Sequence, residues 1–169
     1  IFQFRMLCDE DDYFLREYEV PYDMTLAAFR DFINKDLQYR PEELTSFFTA
    51  DDRWEKQREF TLMEMGDSSG EGPETMESIR LGQIIHNLRD RLIYLFDMFG
   101  DRAYYLELTG AYEADPQASY PREIYAVAEA PDQYDPSKNR EDEDEGSAFE
   151  EMMGDFNDFE GDDNYDDEY

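Results

Sequence analysis

Over residues 91–110, RLIYLFDMFGDRAYYLELTG, two apolar and aromatic runs flank a short turn at Phe99-Gly100-Asp101. β-branched and aromatic residues on both sides of Gly and Asp predict a β-hairpin. It is the longest strand-forming run in the chain and is expected at the centre of a sheet. At the start, Phe2, Phe4, Met6 and Cys8 alternate with polar or outward positions, and Phe14, Tyr18 and Val20 do so again before Pro21. This period of two predicts a first antiparallel hairpin from residues 1–8 and 13–20.

The period then changes. Leu26, Phe29, Ile33 and Leu37 recur every three or four residues behind Thr25, so a capped helix is predicted over 25–38. Strands are predicted over 46–52 and 58–65, with Trp54 between them. The composition of 66–74, GDSSGEGPE, marks a loop. Leu81, Ile84 and Ile85 predict a short helix within 78–87, and a last strand is predicted over 122–130. The fold class is therefore α+β: a mostly antiparallel sheet, one main helix after the first hairpin and a second short helix before the central one.

Composition divides the chain. Residues 138–169 hold 15 acidic residues against 2 basic ones. Few aliphatic side chains and strong self-repulsion predict disorder there, so a domain is expected over 1–133 and an acidic tail over 134–169. Within that tail Phe149, Met152, Met153 and Phe156 stand at helical spacing, and Phe159 continues the aromatic punctuation. A stripe of this kind suits a partner's groove or the protein's own domain.

The net charge of the whole chain is −30, from 45 acidic and 15 basic residues. Such a field disfavours phosphate polymers and anionic membranes and favours basic protein surfaces. The single cysteine excludes an internal disulfide. No leader-like segment and no apolar run near about 18 residues is found, so the cytoplasm is the expected location. Oligomeric state is not legible.

Catalytic motifs are largely missing: there is no Gly-x-Ser-x-Gly, His-Glu-x-x-His or Cys-x-x-Cys. Gly66, Gly70 and Gly72 lack a following Lys, and Asp67 and Glu71 between them would repel a phosphate. His86 is the only histidine, with no second His or Cys to complete a transition-metal site. Cys8 alternates with Phe4 and Met6, as a small buried apolar residue does. An EF-hand frame starting at Glu141 places Met152 where a bidentate Glu is required. Two candidates remain in the domain. Asp97 and Asp101 flank the central turn and, if close, would share a proton or hold a cation. Trp54, set among charged neighbours, either covers a core edge or anchors a partner. The scattered arginines are expected to pair with neighbouring acids, or else to receive the tail.

The stretches FRMLCDEDDYFLREYEVP, TLAAFRDFI, SFFTADDRWEKQREFTL, RLGQII, RLIYLFDMFGDRAYYLEL and EAPDQ resemble, in that order, the Ri-plasmid ORF-3-like domain family, also filed with transposon passenger proteins of TnpR type. The resemblance covers about residues 1–133 and implies an α+β domain of unsettled biochemical role. Many members of that family carry a His-x-His-x-Phe segment and a Gly-Asp-Gly-Trp-x-His segment. Here the corresponding places read Leu44-Thr45-Ser46-Phe47 and Gly100-Asp101-Arg102-Ala103-Tyr104, without histidine.

Together these readings predict a non-enzymatic protein-interaction domain whose acidic, aromatic-dotted tail binds a basic partner or its own domain, with no cofactor. The alternative is a carboxylate-based, metal-dependent enzyme or module built on Asp97 and Asp101.

Overall fold

The structure, a computed structural model, describes residues 1–64 and 72–134 of the 169-residue chain. Ten elements follow one another: β1 (Phe2–Cys8), β2 (Leu15–Val20), α1 (Leu26–Leu37), β3 (Ser46–Ala50), β4 (Lys56–Thr61), β5 (Glu74–Thr75), α2 (Leu81–Ile84), β6 (Arg91–Asp97), β7 (Arg102–Ala111) and β8 (Arg122–Val127). The strands form one sheet in the order β5-β4-β3-β6-β7-β1-β2-β8. All neighbours are antiparallel except β4 and β5, which makes this an α+β fold with a mostly antiparallel mixed sheet.

The central hairpin does lie mid-sheet, β6 beside β7. Its register sets Tyr94 opposite Tyr104 and Leu92 opposite Leu106, while β1 sets Met6 against Leu106 and Phe4 against Leu108. Because side chains alternate along a strand, these residues share one face. Both helices cover it, through Leu26, Phe29, Ile33 and Leu37 of α1 and Leu81 and Ile84 of α2. Phe47 is stacked between Phe29, at 5.8 Å, and Tyr94, at 4.8 Å.

Thr25 caps α1 as its position predicts, its hydroxyl accepting from the Ala28 amide at 3.1 Å. Gln38 closes the helix in the left-handed region, at φ 59°. Arg30, whose place on the helix gave no hint of burial, is 3% exposed. Its guanidinium donates to Thr45 Oγ1 and to the carbonyls of Pro41 and Glu43, fastening the loop between α1 and β3.

Several elements are shorter than their apolar runs. β3 ends at Ala50 because Asp51 turns the chain, accepting from the amides of Arg53 and Glu55. The next strand runs 56–61 rather than 58–65. The second helix is one turn within 78–87, since the Asp90 carboxylate takes the amides of His86 and Asn87 and the helix cannot propagate. β8 stops at Val127, before Ala128 at φ 64°. Glu74 and Thr75, one of them inside the stretch read as loop, pair in parallel with Phe60 and Thr61.

Candidate functional site

Outward-facing residues of the same strands build a second, smaller apolar cluster. Ile93, Leu95 and Ala103 are its buried members, with Phe48, Ala50, Trp54 and Tyr105 packed against them. The register explains their meeting: Phe48 lies opposite Ile93, Ile93 opposite Tyr105, Leu95 opposite Ala103, and Leu7 opposite Tyr105. Leu7 is 44% exposed and Trp54 half-buried. Among the described residues both helices pack on the other face, and here the half-buried Phe48, Trp54 and Tyr105 cover Ile93, Leu95 and Ala103.

The β3–β4 turn delivers Trp54. Its amide donates to the Asp51 carbonyl at 3.1 Å, and its backbone sits at φ 62°. That region costs a bulky residue about 1 kcal/mol or more, so the position is held by its surroundings. The indole meets Tyr105 edge-on at 5.2 Å and lies 4.4 Å beneath the Arg91 guanidinium. Arg91 is fixed in turn by Glu107 at 3.1 Å and by the Asp52 carbonyl at 2.7 Å. The indole is thus held in one place among charged neighbours, at the edge of the small apolar cluster.

The Asp97 and Asp101 carboxylates go to different cations. Asp97 accepts from the Gly100 amide at 2.9 Å and stands 3.6 Å from Arg102. A Cβ on Gly100 would come within 2.5 Å of the Asp97 carboxylate, so a larger residue here would push that carboxylate aside. Asp101, at φ 52°, reaches Lys56 at 3.6 Å, and that ammonium also lies 4.7 Å from the Phe48 ring. Among the described residues no group of three or more His, Cys, Asp or Glu side chains comes together as a metal site would need.

Arg102 is 8% exposed and gathers distant parts of the chain. It grips Glu10 with two bonds, at 2.9 and 3.3 Å, and donates to the carbonyls of Gln133, at 3.0 Å, and Asp132, at 2.7 Å. Beside it the Tyr39 and Tyr104 hydroxyls are hydrogen-bonded, and Tyr39 also donates to the Pro131 carbonyl at 2.5 Å. Burial pushes the Tyr39 hydroxyl up to about 12 and Tyr104 higher still, so both stay neutral and serve as fasteners.

A further pair of acids escaped the sequence reading. Arg16 Nε lies 3.7 Å from Asp36 and 3.5 Å from Glu123, and Tyr18 donates to Asp36 at 2.7 Å. Burial first, then the hydrogen bond and charge of Asp36, push the Glu123 carboxyl up to about 7 against the lowering by Arg16. The folded state thus keeps a proton that the unfolded chain releases near pH 4.5. The contribution of this group to stability falls as pH rises from about 4.5 to about 7, then levels off. Because the Glu123 side chain is 31% exposed, the loss is about 1 kcal/mol. Urea melts at pH 4.5, 6 and 8 should show this slope reduced in Glu123→Gln; an unchanged slope rules out the acid pair as its source.

The remaining sequence candidates have plain placements. Cys8 is buried, burial pushes its thiol up, and it donates weakly to the Asp11 carbonyl. His86 is exposed. Seven arginines pair with domain acids among the described residues, Arg5 with Glu17 and Arg122 with Glu19 among them. Gly66 and Gly70, together with Phe149, Met152, Met153, Phe156 and Phe159, lie outside the described residues. Within the described residues no helix is long and apolar enough to cross a membrane.

Comparison with solved structures finds a crystal structure of a protein of unknown function from Methanosarcina mazei Go1. It is 14% identical, covers 74% of this chain and 68% of its own, and has a TM-score of 0.61. That likeness extends to the fold. No curated protein matches. The model of one family, described as plasmid pRiA4b ORF-3-like protein, matches residues 1–166. The chain belongs to the plasmid pRiA4b ORF-3-like protein family.

Proposed function

We propose that the chain is a non-enzymatic protein-interaction domain for a basic partner, with the sheet face around Trp54 as its main contact. The observation that supports this reading is Trp54 itself, held half-buried in a left-handed backbone conformation against the small apolar cluster of that sheet face, with the exposed Leu7 on the same face. An aromatic held this way loses little freedom on binding, and the surrounding Leu7, Phe48 and Tyr105 supply area for a partner to exclude water. The net charge of −30 selects the sign of that partner. In the same reading the segment 138–169, with its Phe149–Phe156 stripe, is a second and separate acidic contact for a basic protein.

The test is fluorescence anisotropy of a labelled, arginine-rich amphipathic helical peptide titrated with the full chain. Saturable binding is expected, weakened about tenfold in Trp54→Ala and again at raised salt. Binding that ignores the substitution removes the sheet face from the proposal, and absence of saturable binding removes the proposal.

A further inference from the structure

A second concave surface lies where β1 begins, β2 ends and the chain passes from β7 to β8. It is a groove of about 690 Å³ lined by Ile1, Pro21, Tyr22, Asp23, Tyr112, Glu113, Ala114 and Tyr120. Three tyrosines and a proline form its walls, and the two charged side chains on it are both acidic. The tyrosines are fixed in advance. Tyr22 rests on Gly82, where an added Cβ would come within 2.8 Å of the ring, and meets Phe2 edge-on at 6.4 Å. The Tyr112 hydroxyl donates to Gln3 Oε1 at 2.7 Å. The Tyr120 hydroxyl accepts from the Asp115 amide at 3.1 Å, and the Arg122 guanidinium backs its ring at 5.2 Å. Yet Tyr22 is 61% exposed and Tyr112 43%. These are rigid aromatic walls turned to solvent.

We infer that this groove binds a proline-rich peptide segment flanked by a basic residue. A polyproline II helix makes no internal hydrogen bonds and is already extended, so docking costs little order, and its pyrrolidine rings pack on flat aromatic walls. The volume is that of a ligand pocket and exceeds the needs of a lone ammonium head group. Asp23 and Glu113 complement a flanking arginine or lysine. The Tyr120 hydroxyl, which accepts from the Asp115 amide, keeps its own proton to donate to a peptide carbonyl, a group that a polyproline helix leaves free. The inference goes beyond the role given to Trp54: the groove is made of other residues, and either surface can fail its test without the other.

The experiment titrates the full chain into two labelled peptides of equal charge. One contains proline-proline-leucine repeats flanked by arginine; in the other glycine and serine replace every proline. The proline peptide is expected to bind about tenfold more tightly, because the overall field attracts both equally. Tyr22→Ala should remove that preference, and Glu113→Lys, an exposed change that leaves packing alone, should weaken the proline peptide severalfold. Trp54→Ala should leave the preference intact. Equal binding of the two peptides, or a preference that survives both groove variants with native circular dichroism, overturns the inference.

Discussion

Phe47→Ala is expected to destabilise the domain by about 3–5 kcal/mol, the cost of emptying a fully packed aromatic site. Phe47 has no solvent exposure and sits between the helix and the central hairpin. Its ring is stacked on Phe29 with an interplanar angle of 7° and on Tyr94 with an angle of 29°. Removing it takes contacts from α1 and β6 together, and neither rigid element can close the gap without shifting the other. Urea denaturation with an unchanged slope and a lowered midpoint would report it. A loss below about 1 kcal/mol would mean that the α1–sheet contact is not the core of the fold.

The second large effect is predicted for Arg102→Ala, about 3 kcal/mol. Its guanidinium lies 4.9 Å from the Phe96 ring and bonds Glu10 and the carbonyls of Asp132 and Gln133, with Asp97 close by. Truncation leaves two acids without their cation and two carbonyls without a donor, and an orphaned charge costs more than the pair contributed. Arg102→Lys should recover only part of the loss, because an ammonium cannot reproduce a fork of parallel donors. Hydrogen exchange distinguishes this from a general weakening. The Arg40 amide, which donates to Gln133 Oε1 at 2.7 Å, should lose protection before the β6 and β7 amides do. Uniform loss of protection would contradict the role given to Arg102.

How much of this was readable in the residues depends on the distance over which each feature acts. The Phe2–Cys8 alternation, the Thr25 cap and the Leu26-Phe29-Ile33-Leu37 stripe are local, and each reappears in the fold where its spacing placed it. Strand ends were less legible, because Asp51 and Asp90 stop their elements by side-chain bonds to the backbone that apolar periodicity does not record. Arg102 and Glu10 are 92 residues apart, and Arg122 and Glu19 are 103 apart. No local pattern marks either pair. The same holds for Asp36 and Glu123, which meet only because β8 is laid beside β2.

The candidate site divides in the same way. Trp54 stood out as an aromatic among charges, and the structure packs it against the Ile93, Leu95 and Ala103 cluster and edge-on to Tyr105. Its left-handed backbone, which gives the position its meaning, is invisible in the letters. Asp97 and Asp101 are close in sequence, yet bulged pairing between β6 and β7 and the tight Gly100 turn send one to Arg102 and the other to Lys56.

Trp54 is the only tryptophan in the chain, so its emission reports on the proposed contact directly. Titration of the full chain with the unlabelled, arginine-rich amphipathic peptide should shift that emission saturably, with a midpoint matching the anisotropy curve and reversal by salt. Binding that leaves the emission of Trp54 unchanged would contradict the account.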